Sequence, residues 1–187
     1  KARKIRMLGG ETVFRGANFL ETVDHAFAHR DATGGAYVHS HAHPLIIAGQ
    51  GTIGLEILED LPDLDAAVIQ IGGGGLISGI STAIKAAMPG VRIFGVEPTA
   101  APGAWLSFRD GIARERIALS PSVADGLLGG LSPLPYEIVK DKVERIALVE
   151  EPEIIEAMRV FQREEQLMLE GGAVVGLAAL LAGKIEL

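Results

Sequence analysis

The stretch Ala66-Ala67-Val68-Ile69-Gln70-Ile71-Gly72-Gly73-Gly74-Gly75-Leu76 decides the fold. Its first six residues form a nearly continuous apolar run, which is typical of a strand buried on both faces. The four glycines that follow lead into a helix predicted over residues 76–88, which ends at Pro89-Gly90. A strand, a glycine turn and a helix in this order indicate an α/β protein with a parallel sheet.

The glycine run also predicts an anion-binding turn. Glycine has no Cβ, so successive backbone N–H groups can point inward and form a concave site. The helix that begins at Leu76 adds a positive N-terminus, equivalent to roughly half an elementary charge. A turn without a ligand needs only one or two glycines, and each glycine weakens the chain by about 0.5–1 kcal/mol relative to alanine. Four in succession therefore favour phosphate binding over a purely structural turn.

The residues around the run narrow the class of phosphate ligand. A nucleotide-binding P-loop closes with Gly-Lys-Ser/Thr, and Leu76-Ile77-Ser78 has no lysine. Upstream, Gly49-Gln50-Gly51-Thr52-Ile53-Gly54 matches the dinucleotide pattern G-x-G-x-x-G, before a helix predicted to open at Thr52. That pattern requires an acidic residue about 20 positions later, at the end of the next strand. Here the strand ends in Gln70-Ile71 and glycine, so nicotinamide binding is disfavoured.

The remaining apolar periodicity extends the alternation of strands and helices along the chain. It favours a doubly wound, mostly parallel sheet. Strands are predicted over residues 11–14, 36–39, 66–71, 91–96 and 143–149, and helices over residues 18–30, 52–61, 76–88, 104–110, 152–169 and 173–182.

Composition excludes several classes of function. The net charge is −7, with 48% hydrophobic and 22% charged residues, so neither nucleic acid nor an anionic membrane surface is an expected partner. The chain has no cysteine, which excludes disulfides, thiolate metal sites and a cysteine nucleophile. No apolar run approaches the roughly 18 residues of a membrane helix. We therefore expect a cytoplasmic protein.

A resemblance that covers almost the whole chain in order rests on Ile47-Ala48-Gly49-Gln50-Gly51-Thr52-Ile53-Gly54-Leu55-Glu56, on the glycine run, and on Val96-Glu97-Pro98, Ala124-Asp125-Gly126 and Glu170-Gly171-Gly172-Ala173. These segments resemble the threonine/serine dehydratase and serine racemase group, which are fold-type II enzymes that depend on pyridoxal 5'-phosphate (PLP). The resemblance implies a tryptophan synthase β-like α/β fold, with residues 1–48 in part of the smaller domain. Residues 49–187 then form the larger PLP-phosphate-binding domain, truncated at its C-terminus.

The resemblance also implies a cofactor site and an activity. Gly126 is expected beside the PLP ring and Glu170 near its edge, while the phosphate is held by the backbone amides of Gly72, Gly73, Gly74, Gly75 and Leu76. The implied activity is that of an ammonia-lyase, which converts a hydroxy-amino acid into a 2-oxo acid and ammonia, in a homo-oligomer. Two alternatives stay open: serine racemase-like activity, and a non-catalytic PLP-binding module.

No catalytic residue is expected within this chain. The family holds PLP as a Schiff base on a lysine in a Ser-x-Lys motif far upstream of the glycine run. None of the six lysines, at positions 1, 4, 85, 140, 142 and 184, lies in that context. We therefore expect a fragment of a longer enzyme.

Two sets of polar residues raise the question of metal binding. Some relatives place a divalent-cation ligand at the position of Glu97, but Gly103 stands where a second carboxylate is expected. A strand-end carboxylate that binds local amides is therefore favoured over a cation site. His39, His41 and His43 would share one face of a strand, as zinc ligands do. Pro44 follows them directly, which favours a polar loop.

Overall fold

A computed structural model describes residues 2–187, which divide into two compact units, residues 2–38 and residues 39–187. The first unit contains helices α1 (Ala2–Met7) and α2 (Phe19–Thr33). Asn18 caps α2 by accepting a hydrogen bond from the Glu21 amide at 3.0 Å, as expected of a helix-opening asparagine.

The two strands predicted near the N-terminus are absent from the described residues. Residues 11–14 and 36–39 are irregular, so these predictions are wrong. Both segments are short apolar runs next to glycines, and in this structure neither has a neighbouring strand that could accept its backbone hydrogen bonds.

The second unit is a parallel three-stranded sheet in the order β1-β2-β3, with helices between the strands. Each strand ends at the same edge of the sheet, so the loops that follow them lie on one side. Its elements are α3 (Pro44–Asp60), β1 (Ala66–Gln70), α4 (Gly75–Ala87), β2 (Arg92–Pro98), α5 (Gly103–Asp110), a 3-10 turn (Asp125–Leu127), α6 (Pro133–Val139), β3 (Arg145–Val149), α7 (Glu151–Glu165) and α8 (Gly171–Leu181).

Alternate residues of each strand enter two separate cores. In β2, Ile93 packs with α4 and α6 on one face, while Phe94 packs with α7 and α8 on the other. In β3, Ile146 and Ala147 divide in the same way. A sheet covered by helices on both faces is the doubly wound α/β arrangement, so the predicted fold class is confirmed.

The G-x-G-x-x-G segment lies inside α3 rather than before a helix. Helix α3 begins at Pro44, with His43 at its N-cap, and not at Thr52 as predicted. A Cβ built on Gly51 would lie 3.3 Å from the Gly79 carbonyl oxygen, and one on Gly54 would lie 2.9 Å from the Ala83 Cβ. These glycines let α3 and α4 pack backbone against backbone, which explains them without a dinucleotide.

Other elements differ from the prediction mainly at their ends. Helix α7 has a capping box between Glu150 and Glu153 and stops at Glu165, where Gln166 adopts a left-handed φ of 54°. Helix α6 and the 3-10 turn were not predicted, because each is too short to show a clear apolar period. No helix in residues 2–187 has the length and apolar character needed to span a membrane.

Candidate functional site

The glycine run forms the turn between the end of β1 and the start of α4. Gly74 occupies the N-cap of α4 with a left-handed φ of 93°, a conformation that costs other residues roughly 1–2 kcal/mol. A Cβ on Gly74 would lie 2.6 Å from the Pro135 Cβ, and one on Gly75 would lie 2.7 Å from the His41 carbonyl oxygen. Gly74 therefore requires glycine for reasons of conformation and of space, and Gly75 for reasons of space alone.

The backbone amides of this turn form a row of free donors. The Ile71 amide makes the last sheet bond, to the Val96 carbonyl at 2.8 Å, and the Ser78 amide makes an early α4 bond, to the Gly74 carbonyl at 3.1 Å. Between them, the amides of residues 72–76 donate to no acceptor among the described residues. Successive free N–H groups at a helix N-terminus are a binding site for an anion.

The structure brings two further predicted residues to this turn. A Cβ on Gly72 would lie 3.5 Å from the Gly126 carbonyl oxygen, and one on Gly126 would lie 3.8 Å from a Glu170 carboxylate oxygen. Three segments far apart in sequence thus lie side by side. The glycine run lies next to the 3-10 turn, and the 3-10 turn lies next to the start of α8. The predicted cofactor-binding residues therefore form one cluster.

A chain of hydrogen bonds centred on the buried Ser132 lies beside the glycine run, and the sequence did not predict it. The Ser132 hydroxyl donates to the Glu115 carboxylate at 2.7 Å. The His41 Nε2 lies 2.9 Å from the same hydroxyl. The Ser132 amide also donates to the Gly73 carbonyl oxygen at 3.4 Å. Ser132 is only 1% exposed, so this chain is fixed in place next to the turn.

His41 is held as a neutral imidazole. Burial, with a smaller contribution from nearby His39, lowers the pKa of His41 from 6.5 to about 4, and Glu115 opposes the shift. The groups around the ring thus favour a single donor nitrogen and a single acceptor nitrogen.

The histidines do not form a metal site. No group of three or more potential ligands among residues 2–187 is placed to hold a metal ion. The His39 Nδ1 accepts hydrogen bonds from the amides of His41 and Ala42, at 3.2 and 2.9 Å. The His43 Nδ1 accepts from the Leu45 amide at 3.2 Å and so caps α3. The segment is a polar loop with local hydrogen bonds, which is the interpretation that the sequence favoured over zinc ligands.

Glu97 is likewise engaged by the protein rather than by a cation. Its side chain is fully buried at the end of β2. One carboxylate oxygen accepts from the Ala104 amide at 2.8 Å and the other from the Trp105 amide at 2.9 Å. Burial raises the pKa of Glu97 to about 8, against the two amides that lower it. The divalent-cation assignment to Glu97 is therefore corrected: this carboxylate anchors the start of α5.

The lysines of the second unit all bond to acceptors outside the glycine run. Each ammonium group donates to a carbonyl or carboxylate close to it, and Lys85 lies at the far end of α4, about 15 Å along the helix axis from Gly75. Lys4 is exposed in α1, and Lys1 lies outside the described residues. The acceptors are the Pro89 carbonyl for Lys85, Glu137 for Lys140, the Ile138 carbonyl for Lys142, and the Leu148 carbonyl with Glu153 for Lys184.

Comparison with known proteins agrees with this architecture. The model of the family described as "Pyridoxal-phosphate dependent enzyme" matches residues 1–187. An L-threonine ammonia-lyase of Thermotoga maritima is 41% identical over 182 residues, which is 97% of this chain and 45% of that protein. The chain therefore spans about half the length of the curated relatives it matches.

Two solved structures share the fold. Maize serine racemase superposes with a TM-score of 0.90 at 31% identity, covering 97% of this chain and 57% of that one. The processed form of threonine deaminase isoform 2 from Solanum lycopersicum superposes with a TM-score of 0.87 at 31% identity, covering 98% and 55%. The glycine turn at the carboxyl end of β1, the two-sided sheet and these matches lead to one conclusion: the chain belongs to the fold-type II PLP-dependent enzymes, in the group of threonine dehydratases and serine racemases.

Proposed function

We propose that the protein is a PLP-dependent ammonia-lyase that converts threonine or serine into a 2-oxo acid and ammonia. The observation that carries the proposal is the row of free amides over residues 72–76 at the start of α4, in a chain that belongs to this family. The names of the relatives at about 40% identity support the ammonia-lyase reaction.

The residues of the turn fit the phosphate of PLP. Free N–H groups and the N-terminus of α4 suit a phosphate without any basic side chain. A phosphate also needs close approach to the backbone, and the Cα positions of this turn carry no side chain to prevent it. We propose that the groups that hold the phosphate are the backbone amides of Gly72, Gly73, Gly74, Gly75 and Leu76.

The other members of the cluster are proposed to hold the cofactor ring. Gly126 provides a surface without a side chain, and Glu170 adds a carboxylate that lies next to it. When bound, PLP supplies an electron sink for the charge that develops at the substrate Cα. The role of this polypeptide is to bind and orient the cofactor, since the lysines of its second unit bond to acceptors outside the turn.

A steady-state assay of the full-length protein tests the proposal and its first alternative. With L-threonine and L-serine we expect 2-oxo acid and ammonia in equal amounts. Serine racemase-like activity is favoured by the TM-score of 0.90 with maize serine racemase. Formation of D-serine without 2-oxo acid would select that alternative.

The second alternative, a non-catalytic PLP-binding module, is distinguished by the same protein. Such a module binds PLP, which is seen as a change in cofactor absorbance, but turns over neither substrate. A protein that binds no PLP would overturn the lyase and the module together.

Three further proposals concern the oligomeric state, the location and the domains of the protein. We propose a homo-oligomer, supported by exposed apolar side chains such as Leu181, which is 54% exposed; light scattering after size exclusion tests it. We propose a cytoplasmic location, which cell fractionation tests. Residues 1–48 are proposed to belong to the smaller domain and residues 49–187 to the larger, phosphate-binding one.

A further inference from the structure

The hydrogen bonds of the chain centred on Ser132 all run in one direction. Ser132 donates its only hydroxyl proton to Glu115, at 2.7 Å, so its oxygen accepts from the His41 Nε2–H. The His41 Nδ1 is then without a proton and accepts from the Ser40 hydroxyl at 3.0 Å. The chain therefore runs from Ser40 through His41 and Ser132 to Glu115, and it assigns His41 the neutral Nε2–H tautomer.

This arrangement does not suit nucleophilic catalysis. In a Ser-His-Asp triad the histidine accepts the serine proton, and the carboxylate binds the other ring nitrogen. Here the serine lies between histidine and carboxylate, donates to the carboxylate, and is buried. This chain of hydrogen bonds is suited to hold neighbouring backbone atoms in position.

Two members of this chain of hydrogen bonds, His41 and Ser132, contact the glycine run. The His41 imidazole lies against Gly73, where a Cβ would overlap the ring. The His41 Cβ lies 2.9 Å from the place that a Cβ on Gly75 would take. In addition, the Ser132 amide donates to the Gly73 carbonyl oxygen at 3.4 Å. His41 and Ser132 thus hold the peptide that joins Gly73 to Gly74.

Holding this carbonyl also orients an amide of the turn. A trans peptide is planar, so its C=O and N–H point in opposite directions. Fixing the Gly73 carbonyl towards Ser132 therefore fixes the Gly74 N–H to point away from Ser132. Without that restraint a peptide between two glycines rotates easily, since both residues tolerate a wide range of φ and ψ.

We propose that His41 is a positioning residue that acts through Ser132 to orient the peptide between Gly73 and Gly74, and thereby strengthens the binding of the cofactor phosphate. The inference rests on the proposed function, because it assumes that the turn binds the phosphate of PLP. His41 itself donates to Ser132 and not to the phosphate.

The test compares dissociation constants for PLP and for pyridoxal, which lacks the phosphate, in the full-length protein. His41→Phe keeps a ring of similar size but removes both hydrogen bonds. We expect it to raise the dissociation constant for PLP about three- to tenfold, as expected for one lost hydrogen bond. The constant for pyridoxal should not change. His41→Gln, which retains a side-chain N–H, should recover part of the loss, and His25→Phe, at an exposed histidine, is the matched control.

A double variant separates positioning from general stability. Ser132→Ala removes the acceptor of the His41 bond and should weaken PLP as much as His41→Phe does. The two substitutions together should cost little more than either alone, since they break the same chain. The inference is overturned if the folded variants bind PLP like the wild type, if pyridoxal weakens equally, or if the two losses add fully. Wild-type protein that binds pyridoxal as tightly as PLP would instead overturn the assignment of the turn to the phosphate, and this inference with it.

Discussion

Gly72 packs directly against Leu127: the Leu127 Cα lies 3.2 Å from the place that a Cβ on Gly72 would occupy. This contact joins the first residue of the glycine run to the 3-10 turn that carries Gly126. Backbone meets backbone here, so the neighbours have little freedom to withdraw. The cluster proposed to bind PLP is therefore held by main-chain packing, and small side-chain additions should disturb it.

Gly74→Ala should weaken PLP binding by tenfold or more. The substitution places a Cβ 2.6 Å from the Pro135 Cβ in a left-handed conformation that itself costs alanine roughly 1–2 kcal/mol. Titration of the full-length protein with PLP, followed by absorbance, measures the effect. Gly90→Ala is the control, because its Cβ would meet nothing within 4 Å and its φ is ordinary; it should bind PLP like the wild type. Equal affinity in the two variants would contradict the assignment.

Gly79→Ala should destabilise the fold by about 1–3 kcal/mol through overpacking between α3 and α4. The added methyl would lie 2.8 Å from the Gln50 carbonyl carbon, in a contact between helix backbones. Urea unfolding measures the free-energy difference. Gly49→Ala, also in α3 but with open space around its Cβ, should be neutral or stabilising by up to about 1 kcal/mol. A Gly79→Ala protein as stable as the wild type would show that the two helices adjust freely.

Glu97 should make stability fall as the pH rises from about 4.5 to about 8. Its pKa is raised from 4.5 to about 8 by burial, so the folded state binds the proton more tightly than the unfolded state. Its contribution is therefore complete below the unfolded pKa and is lost as the pH rises through the folded one. In Glu97→Gln this dependence should disappear. Urea unfolding at several pH values provides the comparison, and a constant difference between wild type and variant would contradict the raised pKa.

His41 should contribute a trend of the opposite sign in acid. Its pKa is lowered from 6.5 to about 4, so the unfolded state binds the proton more tightly. The stability it contributes is complete above about 6.5 and is lost as the pH falls through the folded pKa. The free energy of unfolding of the wild type should therefore fall relative to that of His41→Phe between pH 6.5 and 4. If the difference in the free energy of unfolding between wild type and variant does not vary over this range, the lowered pKa of His41 is contradicted.

The central strands, the turn and α4 could be predicted because local signals agreed there. An apolar run, four glycines and an amphipathic helix all favour one βα unit, and the structure places it at residues 66–87. The meeting of Gly72 with Gly126 and Glu170 did not follow from local pattern, and only the family resemblance predicted it.

Other features could not be predicted from sequence patterns. Gly51 and Gly54 match a loop motif in sequence, yet they lie within a helix because α4 packs closely against them. The hydrogen bond between His41 and Ser132 joins residues 91 positions apart. No periodicity encodes such a contact, so the sequence predicted only a polar loop at His41.

The most direct test of the phosphate assignment is the amide ¹H–¹⁵N spectrum of the full-length protein during titration with PLP and, separately, with pyridoxal. We expect the resonances of Gly72, Gly73, Gly74, Gly75 and Leu76 to shift with PLP, because their N–H groups gain a phosphate acceptor, and to shift far less with pyridoxal. Binding of PLP that leaves these five resonances unchanged would contradict it.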